Sequence, residues 1–245
     1  MKVIDQFRPE DPACPRRLSR FDRSGEVSDF DTELLGEHVL DVYVNGALTM
    51  QLACTPEHLT ELTLGRLLTE GVIRSADDVE QITLSEQGES ARVLLTRERA
   101  AQPGFAPKPL TPARWTSEEV FLCADRFAAD TPLHRRTRST HSCFLLSGGE
   151  IVFVCEDIGR HNAVDKALGW ALLHDVDLPS AALFTSGRVP TDMARKVICA
   201  GVSVFISKEA ATREAVELAE RFGLTILGKV RPESFVVYAD GVKKE

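Results

Sequence analysis

The residues best equipped for chemistry lie in one run, Glu156-Asp157-Ile158-Gly159-Arg160-His161-Asn162-Ala163-Val164-Asp165-Lys166. Acids, cations, an imidazole, an amide and a turn glycine crowd together there, far more than a plain connection needs. The apolar stretch from Ile151 to Val154 precedes the run, and Val164, Ala167, Leu168, Ala171 and Leu172 then fall on one helical face. That pattern predicts a strand, a tight turn and a helix. Asp157, Arg160 and His161 would sit at the carboxyl end of a strand, beside a helix start whose free N–H groups favour an anion. The bland alternative is that Asp157 and Asp165 only balance a helix start while Arg160 and Lys166 are solvated.

A second turn, Thr185-Ser186-Gly187-Arg188 with Pro190 opening the next helix, repeats the arrangement. Two such turns with Arg160 and Arg188 nearby suit a phosphate or pyrophosphate. The segment Phe235-Val236-Val237-Tyr238-Ala239-Asp240 reads as a core strand or as an aromatic wall on which a base could stack. Six cysteines, at 14, 54, 123, 143, 155 and 199, include no C-x-x-C pair, so neither a zinc ribbon nor a disulfide framework is indicated. Cys155, next to the charged run, is the best placed to act as a nucleophile, although Glu156 and Asp157 oppose its thiolate. The H-x-E and P-C-x-x-C motifs of a zinc deaminase are missing, so no metal site is assigned.

The elements that must position these residues are partly legible. Residues 1–35 read as an irregular arm. Val39 to Val44 and Ala47 to Leu52 flank Asn45-Gly46, a strong hairpin signal. Thr55-Pro56 predicts a helix start, Gly71 its end, and strands follow at Val79 to Leu84 and Ala91 to Thr96. Residues 36–100 thus make a small α+β unit. Residues 101–112 hold too many prolines for an element and read as a linker. From 113 to 245 the expected order is α-β-β-α-β-α-β-α-β-β, a mixed sheet with helices on both faces, an order similar to the cytidine deaminase-like fold.

The 245 residues suffice for one large domain or two small ones. A formal charge of −8 argues against a nucleic-acid-coating protein. No apolar run has signal-peptide or transmembrane character, so the expectation is a cytoplasmic chain without a membrane partner.

The run at 156–166 resembles the signature of the formate dehydrogenase accessory proteins, the FdhD-type sulfurtransferases. Val44-Asn45-Gly46, Thr55-Pro56, Leu62, Gly65, Glu70-Gly71-Val72-Ile73, Thr140-His141, Ser186-Gly187-Arg188, Ala200-Gly201-Val202 and 235–240 resemble further parts of that family. The resemblance implies a deaminase-like C-terminal domain and a homodimer. It also implies sulfur taken from a cysteine desulfurase and passed to the molybdenum (or tungsten) bis-guanine dinucleotide cofactor, for which GDP is a surrogate, ahead of insertion into formate dehydrogenase. Asp157, Gly159, Arg160, His161, Lys166, Ser186, Gly187, Arg188 and 235–240 would then meet the cofactor, with Arg160, Lys166 and Arg188 on its phosphates. The family carries its sulfur on a C-x-x-C loop, and residues 97–112 contain no cysteine. Three readings follow: a sulfurtransferase using another cysteine, a cofactor carrier without catalysis, or a nucleotide-binding regulatory protein.

Overall fold

The structure, a computed structural model, describes residues 1–242; residues 243–245 of the expected C-terminal unit lie outside the described residues. In chain order the elements are β1 (Lys2–Ile4), β2 (Ala13–Phe21), β3 (Val27–Leu35), β4 (His38–Val44), β5 (Ala47–Cys54), α1 (Leu59–Thr69), β6 (Val79–Leu84), β7 (Ser90–Leu95) and α2 (Arg97–Ala100). Then follow α3 (Ser117–Ala128), α4 (Pro132–Thr137), β8 (His141–Ser147), β9 (Glu150–Asp157), α5 (Arg160–Leu173), β10 (Ala182–Thr185), α6 (Thr191–Ala200), β11 (Val204–Ser207), α7 (Arg213–Phe222), β12 (Thr225–Arg231) and β13 (Ser234–Ala239). None of the described helices is long and apolar enough to cross a membrane.

The first sheet has the order β1-β6-β7-β4-β5 and the second β13-β12-β11-β10-β8-β9. Parallel strands β10, β11 and β12 form the centre of the second, with β8 and β13 antiparallel to their neighbours. Side chains alternate across it. Cys143, Leu145, Leu183, Phe205 and Ile226 face the core shared with α5, α6 and α7. Phe144, Leu146, Phe184, Ile206 and Leu227 pack on α3. This is the mixed α/β architecture with helices on both faces that the element order implied.

The N-terminal and C-terminal units share one apolar cluster along α1 and α5. Gly65 and Gly169 permit the crossing: a Cβ at Gly65 would overlap the Asp165 carbonyl, and one at Gly169 the Glu61 carbonyl. The helices meet backbone to backbone. At Asn45-Gly46 both residues take positive φ, 50° and 86°, as a two-residue hairpin turn requires.

Three features differ from the sequence reading. Residues 1–35 are not irregular: β1 extends the first sheet, and β2 and β3 form a ribbon running from Ala13↔Leu35 to Phe21↔Val27. The ribbon is exposed on both faces, so it carries no burial pattern to read, and Arg136 ties its base through Asp11 and Glu33. Helix α1 begins four residues after Thr55, because the Thr55 backbone N–H and hydroxyl are engaged by Asp157 and Glu156 instead. The short helix α4 was not anticipated, because its N-terminus is capped from a distant strand by Glu156.

Candidate functional site

The charged run divides into side chains that turn inward and side chains that stay at the surface. Asp157 ends β9 with no exposed surface, and Lys166, nearly two turns into α5, is equally buried. Their Nζ···Oδ2 distance is 2.7 Å. Lys166 also donates to the Thr55 hydroxyl at 2.6 Å and to the carbonyls of Thr55 and Glu156. The other Asp157 oxygen accepts from the Gly159 N–H and from Asn162, whose amide also reaches the Ala53 carbonyl. Glu156 accepts from the N–H groups of Leu133 and His134 and from the hydroxyls of Thr131 and Thr140. Asp165, also sealed, binds Lys196 at 2.7 Å, the Thr69 hydroxyl at 2.8 Å and, at 3.5 Å, Arg66. Five residues of the run therefore clamp β5, α1, α4, α6 and the β9–α5 turn. Buried charges of this kind persist only when paired and hydrogen-bonded.

That arrangement locates the expected ligand residues. Asp157 and Lys166 face each other in the interior, so neither is presented at the surface. Gly159 caps α5. Arg160 and His161 are half-buried and diverge. Arg160 lays its stem across Gly187, where an added Cβ would come within 2.9 Å of its Cδ, and its Nε is buried without a hydrogen-bond partner. His161 lies 3.3 Å from Asp192 on α6.

Around the second turn, Ser186 accepts from the Ser142 N–H at 3.0 Å and lies 3.2 Å from His141 Nδ1. Ser207 at the end of β11 donates to the Gly187 carbonyl at 2.7 Å. These strand ends border a cleft of about 380 Å³ with Thr140, His141, Ser186, His134, Arg138 and Lys208 in its walls. Burial, then the charges of Arg160 and His134, push the His141 pKa below its usual value, so the ring is neutral at neutral pH. Arg188 is exposed beside the same turn. Sequence reasoning missed Lys208, which follows the end of β11 and places its ammonium 5.1 Å from the Phe127 ring centroid; only the third strand end in the series pointed to it.

The segment 235–240 is β13, an edge strand that crosses the whole sheet. Phe235 packs edge-on against Trp115 and Phe121. Val236 and Val237 are exposed, Tyr238 covers Gly228, and Ala239 is buried opposite Ile226. Asp240 meets the Trp115 indole N–H at 3.5 Å. Only the start of the segment thus shares an edge with Ser186 and Gly187.

Cys155 is 3 % exposed, and its thiol donates to the Ala163 carbonyl at 3.2 Å. Burial pushes it up to about 12, as it does Cys54 and Cys123, and it raises Cys143 well above the usual thiol value. A raised thiol pKa leaves less thiolate at neutral pH, so these four are poorly poised as nucleophiles in this conformation. Iodoacetamide at about pH 8 should label exposed Cys14 first and half-buried Cys199 more slowly, leaving the other four unlabelled until denaturant is added. Mass mapping of native and unfolded samples checks this; rapid native labelling of Cys155 would contradict the packing described.

A mixed α/β sheet with glycine turns, hydroxyls and cations gathered at its carboxyl edge defines a ligand-type cleft protein of the open-sheet class. The sequence profile of the FdhD/NarQ family matches residues 35–106 and 96–243, and the chain belongs to that family. It is 32 % identical over 250 residues to the sulfur carrier protein FdhD of Geobacillus kaustophilus, covering 92 % of this chain and 95 % of the relative. It is likewise 32 % identical over 242 residues to the sulfur carrier protein FdhD of Methanothermobacter thermautotrophicus, covering 91 % and 96 %. Its fold is similar to a crystal structure from Desulfotalea psychrophila, described as that of a formate dehydrogenase accessory protein, with a TM-score of 0.78 and 26 % identity over 94 % of this chain and 97 % of that one.

Proposed function

We propose that this protein is an accessory factor for formate dehydrogenase that binds the molybdenum bis-guanine dinucleotide cofactor and passes to it sulfur drawn from a cysteine desulfurase. The observation that carries the reading is the strand-end edge, where Arg160 lies on Gly187 and Ser186 meets His141 beside a 380 Å³ cleft. The buried Nε of Arg160, without a partner, fits an anionic group at that edge. In this reading Arg160, Arg188 and Lys208 hold phosphates, Gly187 lets the backbone come close, and Phe235 and Val236 border the guanine. Lys166 and Asp157 contribute by fixing the turn that presents Arg160. The reading includes a homodimer acting in the cytoplasm.

Titration of the full chain with GDP tests this. Arg160→Ala should weaken binding roughly 10- to 100-fold, the loss of one charge-assisted phosphate contact. Equal affinity in the variant, or none in the parent, would sink the assignment of the edge. The complementary test is restoration of formate dehydrogenase activity in a strain lacking its own accessory protein. A second reading, cofactor carriage without sulfur transfer, draws on the missing C-x-x-C pair and the sealed Cys155.

A further inference from the structure

The strand-end cleft holds a pair that the phosphate contacts above leave unused, Ser186 and His141. Ser186 Oγ accepts from the Ser142 backbone N–H at 3.0 Å and lies 3.2 Å from His141 Nδ1. Among the described residues the Ser186 hydroxyl has no acceptor other than that nitrogen, so Ser186 donates and Nδ1 accepts. The backbone carrying the ring is held independently. The Thr140 hydroxyl donates to buried Glu156 at 2.8 Å, and His141 and Ser142 pair with Asp157 and Glu156 on β9.

With Nδ1 accepting, the proton of a neutral ring sits on Nε2. Nε2 has no partner among the described residues, and His141 stands half-buried in the wall of the 380 Å³ cleft. The charges around it are mostly positive: Arg160 on α5, His134 and Arg138 on and after α4, and Lys208 after β11, against Asp157 at the end of β9. Burial, Arg160 and His134 outweigh Asp157, in agreement with a neutral ring.

We propose that His141 is a ligand contact of this cleft, fixed by Ser186 in the form protonated at Nε2, and that it gives this one N–H to an acceptor oxygen of the ligand. In the cofactor reading that oxygen belongs to a phosphate. The ligand's identity rests on the accessory-protein reading above; the pairing of His141 with Ser186 does not. Ser186 is then a positioning residue, because its oxygen and its proton are both engaged within the protein. A neutral N–H also sets a selectivity. It refuses a ligand group that is itself only a donor, and it remains available above neutral pH, where an imidazolium contact would be lost.

The experiment pairs nitrogen NMR of the full chain labelled at histidine with titrations by GDP and by inorganic pyrophosphate, with thermal melting to verify that each variant folds. NMR should find the His141 proton on Nε2 at neutral pH. His141→Ala should weaken GDP binding about 10-fold, and His141→Gln, whose amide N–H falls near the place of Nε2, should recover most of the loss. Ser186→Ala should weaken binding about 3- to 10-fold in the parent and add nothing in the His141→Ala background, since both substitutions remove one contact. GDP affinity should stay level between about pH 7 and about pH 8.5. A proton on Nδ1, unchanged affinity in His141→Ala, a Ser186→Ala loss that persists in the His141→Ala background, or an affinity falling about tenfold per pH unit over that range overturns the assignment. Pyrophosphate binding that depends on His141, without GDP binding, upholds the contact and fails the guanine-dinucleotide reading. Binding of neither probe overturns both.

Discussion

Replacing Lys166 with methionine should destabilise the protein by about 3–5 kcal/mol, because the substitution keeps most of the volume but leaves Asp157 buried without its cation. Both side chains are fully buried, and the ammonium makes contacts to Thr55 and Glu156 in addition to the carboxylate. The loss therefore reaches β5 and the β9–α5 turn together. Urea unfolding measures it as a fall in midpoint at unchanged slope. Asp157→Asn combined with Lys166→Met should recover part of the loss, since an amide without a charged partner is less costly to bury than a carboxylate. A single-variant loss below about 1 kcal/mol would mean that water reaches the pair. Because Lys166 is interior, GDP affinity per folded molecule should change far less than in Arg160→Ala.

The second large effect is expected at the helix crossing. Gly169→Ala gains about 1 kcal/mol of helix propensity. Against this, the new methyl overlaps the Glu61 carbonyl on α1, a backbone atom that no side-chain rotation can clear. Overpacking costs about 1–3 kcal/mol where side chains can yield, and a backbone obstacle belongs at or beyond the top of that range. The steric term wins, and a net loss of about 2 kcal/mol or more should lower the melting temperature by roughly 4–8 °C for a chain of this size. Gly65→Ala should behave alike, since its Cβ would meet the Asp165 carbonyl. Unchanged melting in both variants would show that the helices can separate freely.

Both predictions depend on contacts that local sequence could not announce. The Asn45-Gly46 hairpin and the Thr116–Glu119 capping box lie within a few residues, and their chemistry is local. Thr55 looked like a helix cap because Pro56 follows it, but its partners are 101 and 102 residues away. Glu156 looked like one more acid of a ligand turn, yet it closes the start of α4 from 22 and 23 residues downstream. The ribbon of β2 and β3 pairs Arg17 with Asp31 and Leu18 with Phe30 in the open, where no half-buried alternation exists to read. At the candidate site, the two glycine turns were visible as turns, and the structure brings Arg160 onto Gly187. Which charges of the run face inward was not visible, because Lys166 and Asp165 differ from Arg160 and His161 only in the helix face they occupy and in what α1 and α6 place there. Cys155 next to the run was similarly ambiguous, since a strand's last residue is open or sealed according to the helix that follows it.

The meeting of α1 with α5 also has a consequence for synthesis. The ribosome releases α1 long before α5 exists, and the bond between Thr69 and Asp165 alone spans 96 residues. At about 5–20 residues per second, Leu64, Leu67 and Leu68 spend on the order of 5–20 s without the helix that covers them. The nascent chain over that interval displays a bare leucine face of the kind that general holding factors at the tunnel exit bind. Slowed elongation between codons 70 and 160 should accordingly lower the soluble yield more than the same delay placed after codon 175.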